Sequence, residues 1–101
     1  MLEKTIVAKI KKALEAEGAK CIKTHGNPYL EAGTPDILGV YKGRCFAIEV
    51  KKDEKEGPTM LQIKRLNEWY KSGARAGVAW GVARSYDIMV GYYDDLTSPK
   101  I

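Results

Sequence analysis

Apolar positions near the start of the chain recur with helical spacing. Leu2, Ile6, Val7, Ile10, Ala13 and Leu14 fall on one face, and Lys4, Lys9, Lys11, Lys12, Glu15 and Glu17 on the other. This pattern predicts an amphipathic helix over residues 2–17, with Gly18 as its stop. Residues 20–25 read as a first strand, with Cys21, Lys23 and His25 on one side and Ile22 and Thr24 on the other. Residues 26–33, which contain Asn27-Pro28 and Gly33, read as a loop that delivers the chain to Thr34-Pro35. Two apolar runs rich in Ile, Val, Phe and Tyr follow at 36–41 and 44–50, each too short for a helix. Only Lys42-Gly43 separates them, so they read as a β-hairpin turned at Gly43.

A charged connector, KDEKEGP at 52–58, leads to a second helical pattern that opens at Pro58-Thr59 and runs to Ser72. Ile63, Leu66 and Tyr70 form its principal apolar stripe, Gln62, Leu66 and Trp69 share a neighbouring face, and Gly73 is its stop. The unbroken apolar run AGVAWGVA at 76–83 predicts a strand buried on both faces. Following a helix, it is expected to pair parallel with a neighbour through a crossover connection. A short helix is predicted over 85–92, and the tail from Asp94 onward reads as frayed or dependent on a partner.

The chain of 101 residues is expected to form one domain over 1–101. Its composition, 45% apolar and 30% charged, is that of an ordinary globular protein. No apolar run approaches the ~20 residues of a membrane helix, and the charged N-terminus does not resemble a signal peptide. The expected setting is therefore soluble and cytoplasmic, in a cell or in a virus or phage replicating there. The net charge of +4 suits a polyanionic partner. One His and two scattered Cys cannot make a zinc site of usual composition, so any metal would be held by oxygen.

The candidate chemistry lies at the open end of the hairpin. If Lys42-Gly43 forms a two-residue loop rather than a bulged three-residue one, Tyr41 lies opposite Arg44, Val40 opposite Cys45, Leu38 opposite Ala47 and Asp36 opposite Glu49. Directly opposed Cβ atoms are roughly 4.5–5.5 Å apart. Strand alternation adds Lys51 to the face of Glu49. A slip of one residue would send the two acids to opposite faces. Opposed carboxylates repel, and burial makes the repulsion worse. A hard divalent cation offsets it, because Mg²⁺ takes oxygen ligands and uses only one or two protein carboxylates. The plainer alternative is a solvated sheet edge with an ordinary salt bridge from Lys51. On strands otherwise apolar, the set of three favours the metal site.

Pro35-Asp36, a gap and then Glu49-Val50-Lys51 resemble the PD-(D/E)xK motif of restriction-endonuclease-like nucleases. The small size and the helix carrying Gln62 resemble the VRR-NUC branch of that superfamily. The resemblance implies an α/β fold with a restriction-endonuclease-like core, α-β-β-β-α-β, whose mixed central sheet is flanked by helices. It also implies that Asp36 and Glu49 ligate Mg²⁺, which Mn²⁺ can replace, with the backbone carbonyl of Val50 as a third ligand. Lys51 would orient or activate the attacking water and offset the charge on the phosphate. Many nucleases of this kind carry a Glu on the first helix. Glu3 thus has two readings, an acid suited to the helix dipole or a further acid reaching the metal. Gln62 likewise is either an exposed helix residue or an amide that orients Lys51 or a water. His25 is expected to be a surface polar residue.

Lys20, Lys23, Lys42, Arg44, Lys52, Lys64 and Arg65 flank the site in sequence and are expected to contact phosphates without reading bases, unless they are simply solubilising. The resemblance extends to Holliday junction resolvases, which act on four-way DNA as homodimers. Trp69, Tyr70, Trp80, Tyr86, Tyr92 and Tyr93 offer aromatic surface for a dimer or for the core. The expected function is thus a Mg²⁺-dependent, structure-selective DNA endonuclease with no small-molecule cofactor and no membrane partner. The competing reading is a nucleic-acid-binding module of the same fold without cleavage.

Overall fold

In the computed structural model, residues 2–92 are described; the expectations for Tyr93 and the tail from Asp94 lie outside them. The elements in order are α1 (Glu3–Ala16), β1 (Lys20–Lys23), β2 (Ile37–Tyr41), β3 (Arg44–Val50), α2 (Met60–Lys71), β4 (Arg75–Ala79) and α3 (Val82–Val90). One mixed sheet has the order β1-β2-β3-β4, with β1, β2 and β3 antiparallel and β4 parallel to β3.

Turn chemistry sets the register on which the site depends. Lys42 (φ 48°) and Gly43 (φ 81°) both occupy the left-handed region. A two-residue turn of this hand matches the twist of the strands it joins. Tyr41 therefore opposes Arg44, Val40 opposes Cys45 and Leu38 opposes Ala47, as the turn predicts. On the other side of β2, Ile22 opposes Leu38 and Lys23 opposes Ile37. Gly39 is required where these strands cross. A Cβ there would lie 2.5 Å from Phe46 Cζ and 2.7 Å from the Lys20 carbonyl oxygen.

The sheet is covered on both faces. Ile6, Val7, Ile10 and Leu14 of α1 pack with Ile88 and Met89 of α3 against Ile37, Phe46 and Ile48. On the opposite face Leu66 of α2 packs on Ala47 and Ala76, with Trp69, Leu38 and Val78 at the margin. Each fully buried Leu, Ile or Phe contributes roughly 1.5–3 kcal/mol. The strand pair β3-β4 thus has helices on both sides, which explains why residues 76–79 are apolar without alternation.

Three expectations change. The apolar run at 76–83 divides: β4 ends at Ala79, and α3 begins at Val82, three residues before the predicted start. Gly81 caps α3, and both the backbone N–H and Oγ of Ser85 donate to its carbonyl. A short apolar run does not distinguish a strand from the start of a buried helix. Secondly, Tyr70 remains 41% exposed, and α2 buries Leu66 and Asn67 instead. Asn67 tolerates burial because its amide donates to the Ile63 carbonyl at 3.0 Å. Thirdly, β1 ends at Lys23, although the Thr24 N–H continues the pairing by donating to the Asp36 carbonyl at 2.8 Å.

Candidate active site

Asp36 immediately precedes β2, Glu49 is next to last in β3, and Lys51 immediately follows β3. Their exposures are 7%, 2% and 7%. Charged side chains are almost never buried this deeply unless they are paired. The surrounding elements fix each one. The Thr24 hydroxyl donates to the Pro35 carbonyl at 2.5 Å, holding the bend into Asp36 from the neighbouring strand. Asp36 Oδ2 accepts the Val50 backbone N–H at 2.8 Å, so the acid reaches across to the end of β3. The Lys51 backbone N–H is tied to the Ala79 carbonyl at 2.9 Å, which anchors the strand end that presents the ammonium.

The two acids share one electrostatic environment. Glu49 is pushed up to about 9, first by burial, then by its hydrogen bond to Asp36 and the repulsion between them, with Lys51 pulling the other way. Glu49 hydrogen-bonds Asp36, and its Oε1 is buried without a hydrogen-bond partner. At neutral pH Glu49 therefore keeps its proton.

Glu3 of α1 belongs to the same neighbourhood. Burial raises its pKa, as do a hydrogen bond with Glu56 and repulsion from Glu56 and Asp36, while Lys51 lowers it. Its nearest acidic partner is Glu56 of the 52–58 connector, which nothing in the sequence pattern singles out. Gln62 is used differently from either expectation. Its side-chain carbonyl accepts the Thr59 N–H at 2.8 Å while the Thr59 hydroxyl accepts the Gln62 N–H at 3.2 Å, forming the capping box of α2.

His25 is exposed, as expected of a surface polar residue, but it also meets Asp36. Its Nδ1 lies 3.0 Å from Asp36 Oδ1, with the imidazole 34% exposed. Its place follows from the β1–β2 pairing, which brings Thr24 opposite Asp36 and His25 one step beyond. The basic residues separate into two groups. Lys20, Lys23 and Lys64 are exposed. Lys42 lies over the Tyr41 ring, and Lys52 approaches Glu56 at 3.8 Å. Arg44 donates to the Gly73 carbonyl. Arg65, only 15% exposed, bonds Glu31, Glu68 and the Ala32 carbonyl, and so serves as the anchor of the 26–33 loop.

Between that loop and the strand ends is a cavity of about 310 Å³. Thr24, His25, Asn27, Leu30, Thr34 and Asp36 are among its lining residues. Among the described residues, no three or more His, Cys, Asp or Glu side chains form a ready-made metal cluster. The donor set that suits a cation here is instead Asp36, Glu49 and a backbone carbonyl, within the one or two carboxylates that Mg²⁺ uses. The partnerless, buried Oε1 of Glu49 supports that fit, because a cation would satisfy it.

No protein-family model and no curated protein matches the chain. A solved structure described as "VRR_NUC domain" does, with a TM-score of 0.68 and 26% identity, covering 90% of this chain and 97% of that one.

Proposed function

The chain is a VRR-NUC domain, and from that premise we propose that it is a divalent-metal-dependent, structure-selective DNA endonuclease that cuts branched, four-way DNA as a homodimer. The observation that supports this most is the burial of Asp36 and Glu49 in mutual contact, with Lys51 buried beside them and Glu49 Oε1 left without a partner. A purely structural site would hardly retain such a charge conflict, since a buried unsatisfied acceptor costs about 1–3 kcal/mol.

Asp36 and Glu49, with the Val50 carbonyl, would hold Mg²⁺ or Mn²⁺. When bound, the cation supplies charge neutralisation for the leaving oxygen and a more acidic water. Asp36 is pre-oriented by the Val50 N–H and His25, so its carboxylate does not have to reorganise. Lys51 orients the attacking water and offsets negative charge as it builds on the phosphate. Glu3 contributes a further carboxylate at the margin. The exposed Lys20, Lys23 and Lys64 hold the phosphate backbone without reading sequence. Two symmetric cuts on a four-way junction require two such sites related by a twofold axis, hence the homodimer.

The test is cleavage of linear, flap, fork and four-way substrates with Mg²⁺ or Mn²⁺. Four-way DNA should be cut in paired positions, and Asp36→Ala and Lys51→Ala should abolish cutting while binding persists. Binding without cleavage under either ion would instead identify a nucleic-acid-binding module of the same fold.

A further inference from the structure

A second cavity, of about 260 Å³, lies between α1 and the start of α3. Its place follows from the pairing of β3 with β4. The Lys51 N–H, on the Ala79 carbonyl, closes that parallel ladder, and Lys52 and Trp80 are the next residues to leave the sheet. Both line the cavity, together with Ile6, Lys9 and Ile10 of α1 and Val82 of α3. Open α/β sheets bind their ligands beyond the carboxyl ends of such strands. Glu49 and Lys51 stand at the same strand ends.

Charge and shape restrict its occupant. Among the described residues that line it none is acidic, in contrast to the cavity beside Asp36. Lys9 is exposed and enters no ion pair among the described residues. Lys52 has Glu56 at 3.8 Å, a solvated pair that a phosphate can replace. Two ammoniums at one cavity favour an anion, and lysine binds phosphate as a point charge. Trp80 adds an aromatic ring. The Arg84 guanidinium lies over that ring at 4.9 Å without lining the cavity, so the part of the indole that meets the cavity is not the part under Arg84. Single strands are held in this way, with bases stacked on aromatic rings and the backbone tracking positive charge. About 260 Å³ admits one base and not a base pair.

We infer that this cavity is a subsite for one nucleotide of an unpaired DNA strand, with its phosphate on Lys9 and Lys52 and its base against Trp80. It rests on the nuclease reading for its ligand class and adds the path that an unpaired strand takes away from the cut. Glu3, at the active-site end of α1, is six residues from Lys9. That is ~9 Å along the helix axis, or roughly two to three stacked nucleotides at ~3.4 Å each. A continuous duplex must unpair a base to fill the subsite, whereas a flap or fork presents one already unpaired.

The experiment uses the full chain in EDTA, so that cleavage does not interfere. Trp69→Phe leaves Trp80 as the single tryptophan, and the probes are oligothymidylate and a blunt duplex of equal length. Oligothymidylate should quench Trp80 emission as it binds, and the duplex should not. In the otherwise native chain, Trp80→Ala should weaken oligothymidylate binding about five- to one-hundred-fold, the span for losing one base–aromatic stack. Lys9→Gln and Lys52→Gln should each flatten the plot of log affinity against log salt by about 0.7. Lys71→Gln, exposed at the end of α2, should leave that slope unchanged. Lys9 and Lys52 are exposed, so their variants keep the fold and decide the matter even where Trp80→Ala does not fold. Absent quenching, equal quenching by both probes, or an unchanged salt slope in both lysine variants overturns the subsite. Cleavage is measured separately. A wild type that cuts DNA while the variants bind as it does defeats the subsite alone; one that shows these binding signatures and cuts nothing defeats the nuclease reading alone.

Discussion

Replacing Glu49 with Gln removes a titrating acid while keeping its shape and its ability to donate a hydrogen bond to Asp36. In the native chain Glu49 is shifted from 4.5 to about 9, with burial as the leading cause. Between those two pH values the folded chain retains a proton that the unfolded chain has released. The stabilisation is therefore fully present below about pH 4.5 and is lost as pH rises through about 9. One proton of difference corresponds to ~1.4 kcal/mol per pH unit, or roughly 2.7 kcal/mol between pH 6 and 8. At 2% exposure, solvent screening does little to reduce this. For a domain of about 100 residues each kcal/mol moves Tm by ~4–8 °C, so the wild type should lose about 10–20 °C over that interval. Thermal melts in EDTA at a series of pH values read this directly. Glu49→Gln should be flatter than wild type by that amount, because the other titrating groups are common to both chains. Parallel curves would refute the raised pKa of Glu49. Asp36→Asn is a poorer probe, since Asp36 also accepts from Val50 N–H and His25.

Further outcomes follow from the same geometry. Because a cation must displace the Glu49 proton, Mg²⁺ or Mn²⁺ binding should release close to one proton and tighten about tenfold per pH unit between pH 6 and 8; calorimetry in two buffers of different ionisation enthalpy measures it, and no buffer dependence would count against Glu49 as ligand. Arg65→Ala, which unties the 26–33 loop from α2, should cost about 1–2 kcal/mol in urea melts and speed proteolytic nicking within that loop. Gly39→Ala drives a methyl into Phe46 and should cost about 1–3 kcal/mol, read as a lower urea midpoint at unchanged slope.

Short-range chemistry was legible along the chain. Lys42-Gly43 forms the two-residue turn that the hairpin reading expected, and that turn determines which residues of β2 and β3 face one another. The neighbourhood of Asp36, Glu49 and Lys51 follows from it, as do α1 and α2 from their apolar spacing and the glycines that end them. Other features depend on contacts between residues far apart in sequence, to which period and propensity are blind. The division of the apolar run into β4 and α3 was decided by where Gly81 caps a helix against the core. The docking of His25 on Asp36 depends on how β1 lies along β2. The approach of Glu56 to Glu3 joins the connector to the first helix, and Arg65 reaches 33 residues back to the Ala32 carbonyl. The raised Glu49 likewise belongs to no segment. A carboxyl becomes a proton-holding acid only when its surroundings exclude water from it, and that exclusion is a property of the assembled fold.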